Sequence, residues 1–270
     1  MASVRASIWF RLPSPRSSAN ALEGMKPGFT VIYEDSELLV LHKPAGLVCH
    51  PTKAGPGSSL VSRVRIYLGA EAEPQMVHRL DRETSGVMVF GKTLAAAAEL
   101  RRLWALGVVT KEYVALVKGG GCAEVGEIKA PLGREVGSVV AIKDCVRPDG
   151  AAARTRFAVE RSFQREGRTY TRLRVWLDTG RKHQIRIHLA HVGHPLVGDK
   201  LYGADEQLYL RFVERRLSPA DRETLELPWQ ALHAGRLWLP WLGVEREFTS
   251  APEDWFEAFE RGENVPWLVD

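Results

Sequence analysis

The segment His78-Arg79-Leu80-Asp81-Arg82-Glu83-Thr84-Ser85-Gly86 sets a carboxylate between two arginines and closes on small residues before an apolar run, Val87 to Phe90. A bend after Asp81 would leave its carboxylate at the mouth of a cleft. The flanking cations Arg79 and Arg82 would keep it ionised, because nearby opposite charge lowers a carboxylate pKa. An ionised carboxylate suits nucleophilic attack better than proton donation. The blander reading is a helix-capping Asp or a surface ion pair. A second concentration of reactive side chains, His183, His188, His191 and His194, has the density of a metal site. Gly193 and Pro195 interrupt it, however, and no His-Glu-x-x-His pattern is present, so no metal is expected.

The elements that must position these residues follow from periodicity. Val31-Ile32-Tyr33 and the run 38–41, across an Asp35-Ser36 turn, read as a hairpin. Residues 58–68 carry apolar side chains at helical spacing, and Thr93 can cap a helix reaching Leu106 and ended by Gly107. The stretch 108–118 is strand-like. Two alternating runs, 154–163 and 169–177, point Phe157, Val159, Leu173, Val175 and Leu177 one way and Arg156, Arg172 and Arg174 the other, with a turn expected over 161–168. Period-two alternation argues for an antiparallel sheet with one buried face. After Gly180 the period becomes helical through Ile185, Leu189 and Val192; 232–239 reads as a strand and 252–260 as a short amphipathic helix. No internal repeat or long linker divides the chain. The expected fold class is α+β, a largely antiparallel mixed sheet flanked by helices and loops. Residues 1–28 are expected to form a disordered N-terminal tail and 29–270 a single domain.

The chain has 270 residues, 45% of them hydrophobic, enough for a sizeable core. Its net charge of +4 is unevenly spread: residues 154–186 hold ten Arg or Lys against three Glu or Asp, and residues 245–270 hold two against eight. Such a one-sided basic stretch is the footprint of a protein that meets phosphates, set against the plainer reading of a solvated strand face. Cys49, Cys122 and Cys145 are scattered and odd in number, which fits a reducing, cytoplasmic setting. No apolar run approaches the length of a membrane span. The first two dozen residues carry Arg5, Arg11 and Arg16 and no acid before Glu23. That composition could mark a transit peptide, but Pro13 and Pro15 interrupt any helix, and a tail or an early start at a codon before Met25 is the expectation.

The Asp81 segment resembles the His-Arg-Leu-Asp-x-x-Thr-Ser-Gly signature of the RluA-type pseudouridine synthases. It is accompanied, in order, by Lys43-Pro44-Ala45-Gly46-Leu47-Val48 with His50-Pro51, by Lys111-Glu112-Tyr113-Val114-Ala115-Leu116-Val117, and by Thr179-Gly180-Arg181-Lys182-His183-Gln184-Ile185-Arg186-Ile187-His188. Gly193 to Asp199 and Leu201-Tyr202-Gly203 extend the last motif. The resemblance runs from about Thr30 to about Glu253. It implies the pseudouridine synthase fold, with a catalytic cleft across the sheet, and an isomerase that detaches uracil from its ribose in RNA, rotates it and rejoins it through carbon 5 without metal or cofactor.

On that resemblance Asp81 is the catalytic carboxylate, attacking sugar or base; Tyr113 stacks on the uracil; and Arg181 pairs with Asp81. Arg79 enters the space left by the flipped nucleotide, while Lys43, Lys182 and Arg186 hold phosphates. Arg172 joins the RNA-binding residues through the basic stretch. Lys182 stands where the family often has Thr, and Leu239-Pro240 where a His-Pro pair is common. Nothing before Thr30 could fold as the small RNA-binding domain many relatives carry, so recognition is expected to reside in the catalytic domain, acting as a monomer. The expected partner is a stem-loop of ribosomal RNA, with transfer RNA second, because an unstacked uridine is the least costly to flip. The alternative is a catalytically silent RNA-binding module of the same fold.

Overall fold

The computed structural model describes residues 28–51, 55, 57–69, 71–203 and 205–267. Apart from Gly28, the expected N-terminal tail lies outside them. In chain order come β1 (Thr30–Glu34), β2 (Leu38–Lys43), α1 (Leu60–Leu68), β3 (Gln75–Met76), β4 (Ser85–Gly91), α2 (Leu94–Ala105), β5 (Thr110–Lys118) and β6 (Val125–Lys129). Then follow β7 (Leu132–Arg134), β8 (Asp144–Val146), β9 (Arg154–Arg165), β10 (Arg168–Leu177), α3 (Gln184–His191), α4 (Gln207–Val213), α5 (Pro219–Leu225), β11 (Leu232–Trp241), β12 (Val244–Thr249) and α6 (Asp254–Glu260).

Ten strands form one sheet in the order β1-β2-β4-β11-β5-β10-β9-β6, with β12 on β11 and β3 on β4; β7 and β8 make a separate hairpin. The pairings are antiparallel except where β11 meets β4. This is the expected α+β architecture. Alternate residues of β2 and β4 point to opposite faces, as the pleat requires. Leu38, Val40, Val87 and Val89 pack with Leu100 and Leu103 of α2 on one face. Leu39, Leu41, Met88 and Phe90 join Leu60 and Val64 of α1 and Ile185 and Leu189 of α3 on the other. Farther along the first face, Leu116 and Tyr170 bury Phe256 and Phe259 of α6.

Several expectations need adjusting. The turn expected over 161–168 is only Glu166 and Gly167, both in the left-handed region, so the strands run on to Arg165 and from Arg168. Two such residues give the tight turn whose twist suits a hairpin. Helix α3 is not amphipathic: Gln184 to Leu189 are all buried, whereas Val192, expected on its apolar face, is exposed. Thr93 does cap α2, its hydroxyl accepting from the Ala96 amide.

The parallel junction fixes the centre of the molecule. His233 and Ala234 of β11 stand opposite Ser85 and Gly86, and Ala234 also stands opposite Tyr113 of β5. Gly86, Ala234 and Tyr113 therefore form one row across neighbouring strands. A Cβ on Gly86 would lie 2.2 Å from the Ala234 carbonyl oxygen, and its φ of +120° is one that side chains disfavour. The glycine closing the Asp81 segment is required by this close approach.

Candidate active site

Asp81 lies in the bend just before β4, its backbone carbonyl accepting from the Thr84 amide, and its side chain is 25% exposed. It lines two cavities. One, of about 90 Å³, is shared with Lys111, Tyr113, Arg181, His183 and Arg186. The other, of about 270 Å³, lies toward Cys49, Tyr209 and Phe212. Arg79 is exposed at the border of both.

The cation paired with Asp81 is Arg186, not Arg181. Arg186 donates NH1 to Asp81 Oδ2 at 3.0 Å, while its Nε and NH2 grip Asp199 at 2.7 and 2.9 Å. Asp199, fully buried, also accepts the amides of Leu201 and Tyr202. A guanidinium presents a rigid fork, so the two-point grip on Asp199 aims the remaining nitrogen at Asp81. Arg181 sits in the loop before α3, exposed, with Nε on the Ala152 carbonyl. Arg186 lies in the first turn of α3, which is buried from Gln184 to Leu189. Expected as a phosphate contact, it is here engaged by two carboxylates of the protein itself.

Burial opposes charge on Asp81, but Arg186, and to a lesser degree His183, outweigh it and hold the carboxyl below its ordinary range. Asp199 is drawn down to about 2, burial again being overcome by Arg186. His183 is a non-glycine residue in the left-handed region, a conformation that clusters at functional sites. It places Nε2 3.9 Å from Asp81 and its Nδ1 2.9 Å from the Tyr202 hydroxyl. Burial and the Arg186 charge lower its pKa to about 4, so it is neutral at pH 7. Tyr113 is buried, and burial followed by the Asp81 charge pushes its hydroxyl up, leaving it protonated.

Three other expected phosphate contacts are engaged elsewhere. Lys43 is fully buried and donates to the carbonyls of Pro44, Leu47 and Arg82. It ties the two loops that lead into the site, and burial lowers its pKa to about 8. Lys182 is paired with Asp144 at 2.9 Å. Arg172 is clasped by Glu160 and Glu260 and packs against Phe256.

Sequence reasoning missed Asp199, Gln230, Lys111 and the pair Glu83–Lys200. Gln230 donates to Thr84 and helps lower the Asp81 pKa by hydrogen bonding. Lys200 is buried against Glu83 at 2.8 Å and the Pro228 carbonyl. Lys111, whose pKa burial lowers, has no carboxylate partner among the described residues and lines the smaller cavity. The only signal for Lys111 was its place two residues before Tyr113, which puts both side chains on one side of β5.

An ionised carboxylate beside a buried tyrosine, at the junction of a mixed sheet, is what comparison with known proteins also finds. Residues 37–191 match the family model described as RNA pseudouridylate synthase. "Ribosomal large subunit pseudouridine synthase D" of Pseudomonas aeruginosa is 39% identical over 235 residues, covering 83% of this chain and 68% of that protein. The protein of the same name from Yersinia pestis is 36% identical over 243 residues, covering 84% and 68%. The solved structure titled "Human RNA Pseudouridylate Synthase Domain Containing 1" superposes with a TM-score of 0.69 at 22% identity, covering 91% of this chain and 92% of that one, which shows the shared fold. The chain belongs to the RNA pseudouridylate synthase family, isomerases that convert uridine in RNA to pseudouridine.

Proposed function

We propose that the protein isomerises uridines of large-subunit ribosomal RNA, with Asp81 as nucleophile on a nucleotide flipped out of its stack. The observation that carries the reading is the Asp81–Arg186–Asp199 chain: a carboxylate kept ionised and aimed, at the meeting of two cavities, next to Tyr113. Asp81 attacks the ribose C1′ or the pyrimidine edge. The N1–C1′ bond breaks, the uracil rotates and C5 bonds to C1′; the bond to Asp81 breaks to regenerate its carboxylate, and loss of the C5 proton is matched by protonation of N1. No electron is gained or lost, so these steps call for no redox partner. Neither C1′ nor the pyrimidine edge can be reached inside a helix, and flipping follows from that.

In this reading the protonated Tyr113 stacks on the uracil, Lys111 adds positive charge beside it, and Arg79 fills the vacated stack. The ribosomal preference is taken from the names of the relatives, and work in the cytoplasm is supported by the free thiols of Cys49, Cys122 and Cys145. Among the described residues no helix is long and apolar enough to cross a membrane. Tritium release from a large-subunit ribosomal RNA transcript bearing 5-tritiated uridine tests the activity, and carbodiimide mapping of pseudouridines in cells with and without the gene tests the target. Loss of pseudouridine confined to a transfer-RNA loop would overturn the ribosomal assignment.

A further inference from the structure

A third cavity, of about 290 Å³, opens beside the site and shares Arg82, Glu83 and Phe212 with the larger catalytic cavity. Its walls combine aromatic surface with unpaired positive charge. Trp229 and Trp267 are half-buried there. Trp229 leans on Trp255 with ring centroids 5.4 Å apart, and the Trp255 indole is anchored on Glu253, so the platform is braced from behind. Gly46, at φ +86°, leaves room for the Trp229 indole, which a Cβ there would approach to 3.2 Å.

Arg82, Arg215 and Arg222 line the same cavity and have no carboxylate partner among the described residues. Arg222 stands 5.5 Å from the Trp267 ring and Arg82 5.5 Å from Phe212. The acid in the wall, Glu83, is already neutralised by Lys200. Aromatic faces with free guanidinium groups are the combination that holds single-stranded nucleic acid, base on ring and phosphate on cation.

We propose that this cavity holds an unstacked nucleoside of the substrate RNA next to the target uridine, its base on Trp229 and its phosphate on Arg215 and Arg222. The inference rests on the RNA-modifying function proposed above. Arg82 follows Asp81 directly and lines both this cavity and the larger one beside Asp81, so the two are neighbours. The cavity gives the enzyme a means of holding a neighbouring nucleotide through stacking, whatever its base.

Two measurements test it. Wild-type protein is irradiated with a large-subunit ribosomal RNA transcript containing 5-iodouridine, and the crosslinked peptides are mapped by mass spectrometry. Crosslinks at Trp229 or Trp267 are expected; their absence from both would overturn the proposal whether or not that RNA is modified. In the tritium-release assay, Arg215→Gln/Arg222→Gln should raise KM about tenfold with kcat within about twofold, and Trp229→Ala should do the same while Trp229→Phe restores it. An unchanged KM in the doubly substituted protein also overturns the proposal. A wild-type protein that releases no tritium would instead sink the functional reading, leaving the crosslinks to decide the cavity.

Discussion

Two groups of arginines in this molecule differ in the partners that the fold gives them. Along β9 and β10, Arg154 is paired with Glu127 and Asp178, Arg156 with Asp178, Arg161 with Glu260, Arg172 with Glu160 and Glu260, and Arg174 with Glu160. Around the catalytic bend, Arg79, Arg82, Arg215 and Arg222 have no carboxylate partner among the described residues. The first region holds α6 and neighbouring strands to the sheet; the second faces cavities. Charge left without a carboxylate is what remains available to a phosphate, so the number of arginines in a stretch is a poorer guide than the number without acids.

The sharpest way to break this comparison is at the site itself. Asp81→Asn keeps shape and removes the charge, so tritium release should fall by at least about 10³-fold while RNA binding persists. Activity within tenfold of wild type would remove Asp81 from the chemistry. Next in size, Arg186→Met strips the counter-charge from the buried Asp199 and the half-buried Asp81. It should cost about 3–5 kcal/mol in urea melts, because breaking a buried pair strands its partner. In whatever folded enzyme remains, the acidic limb of the rate profile should move to higher pH. The sign follows from Asp81: a depressed pKa keeps it active as pH falls through the ordinary carboxylate range, and removing Arg186 takes away the largest influence that opposes burial. Arg181→Met should leave that limb in place. An Arg181 variant that moves it would reverse the assignment of the pair.

The histidines His78, His183 and His233 titrate near about 3, 4 and 4 because burial disfavours their charged forms. Unfolded, each would protonate near pH 6.5, so the unfolded chain binds more protons as pH drops below that value. Stability should therefore decline from about pH 6.5 toward pH 4, each histidine contributing up to about 1.4 kcal/mol per pH unit. A denaturant midpoint flat across that window would refute it. The smallest effect is the most direct test of the two arginine regions. Arg215→Gln should lower the slope of log affinity against log salt by about 0.7, one single-strand phosphate, whereas Arg172→Gln should leave the slope alone and lower stability instead. Equal slopes for the two would dissolve the distinction.

What could be read from the chain depended on how local each cause is. Asp81 and its bend are written in nine consecutive residues, Thr93 announces its helix, and the alternation of Phe157, Val159, Leu173 and Val175 marks a hairpin whose partners are neighbours in sequence. The ion pairs are not local. Arg172 meets Glu260 from 88 residues away, and Arg186 meets Asp81 from 105. Choosing between Arg181 and Arg186 required knowing that α3 begins at Gln184 and is buried on every face as far as Leu189, which erases the periodicity that would have shown its inward face. Lys43 misled for the same reason: a lysine in a motif reads as a phosphate contact until its nitrogen is found on three loop carbonyls.

The row Gly86–Ala234–Tyr113 also dictates the timing of biosynthesis. Asp81 is made early, but the strand that fixes its bend against β5 is β11, which leaves the ribosome about 150 residues later and pairs with β4 in parallel, the slower kind of contact to close. Until then β4 and β5 present raw edges to the cell, and the nascent chain has motifs but no cleft. A pseudouridine synthase built this way acquires its cleft only after β11 has been made.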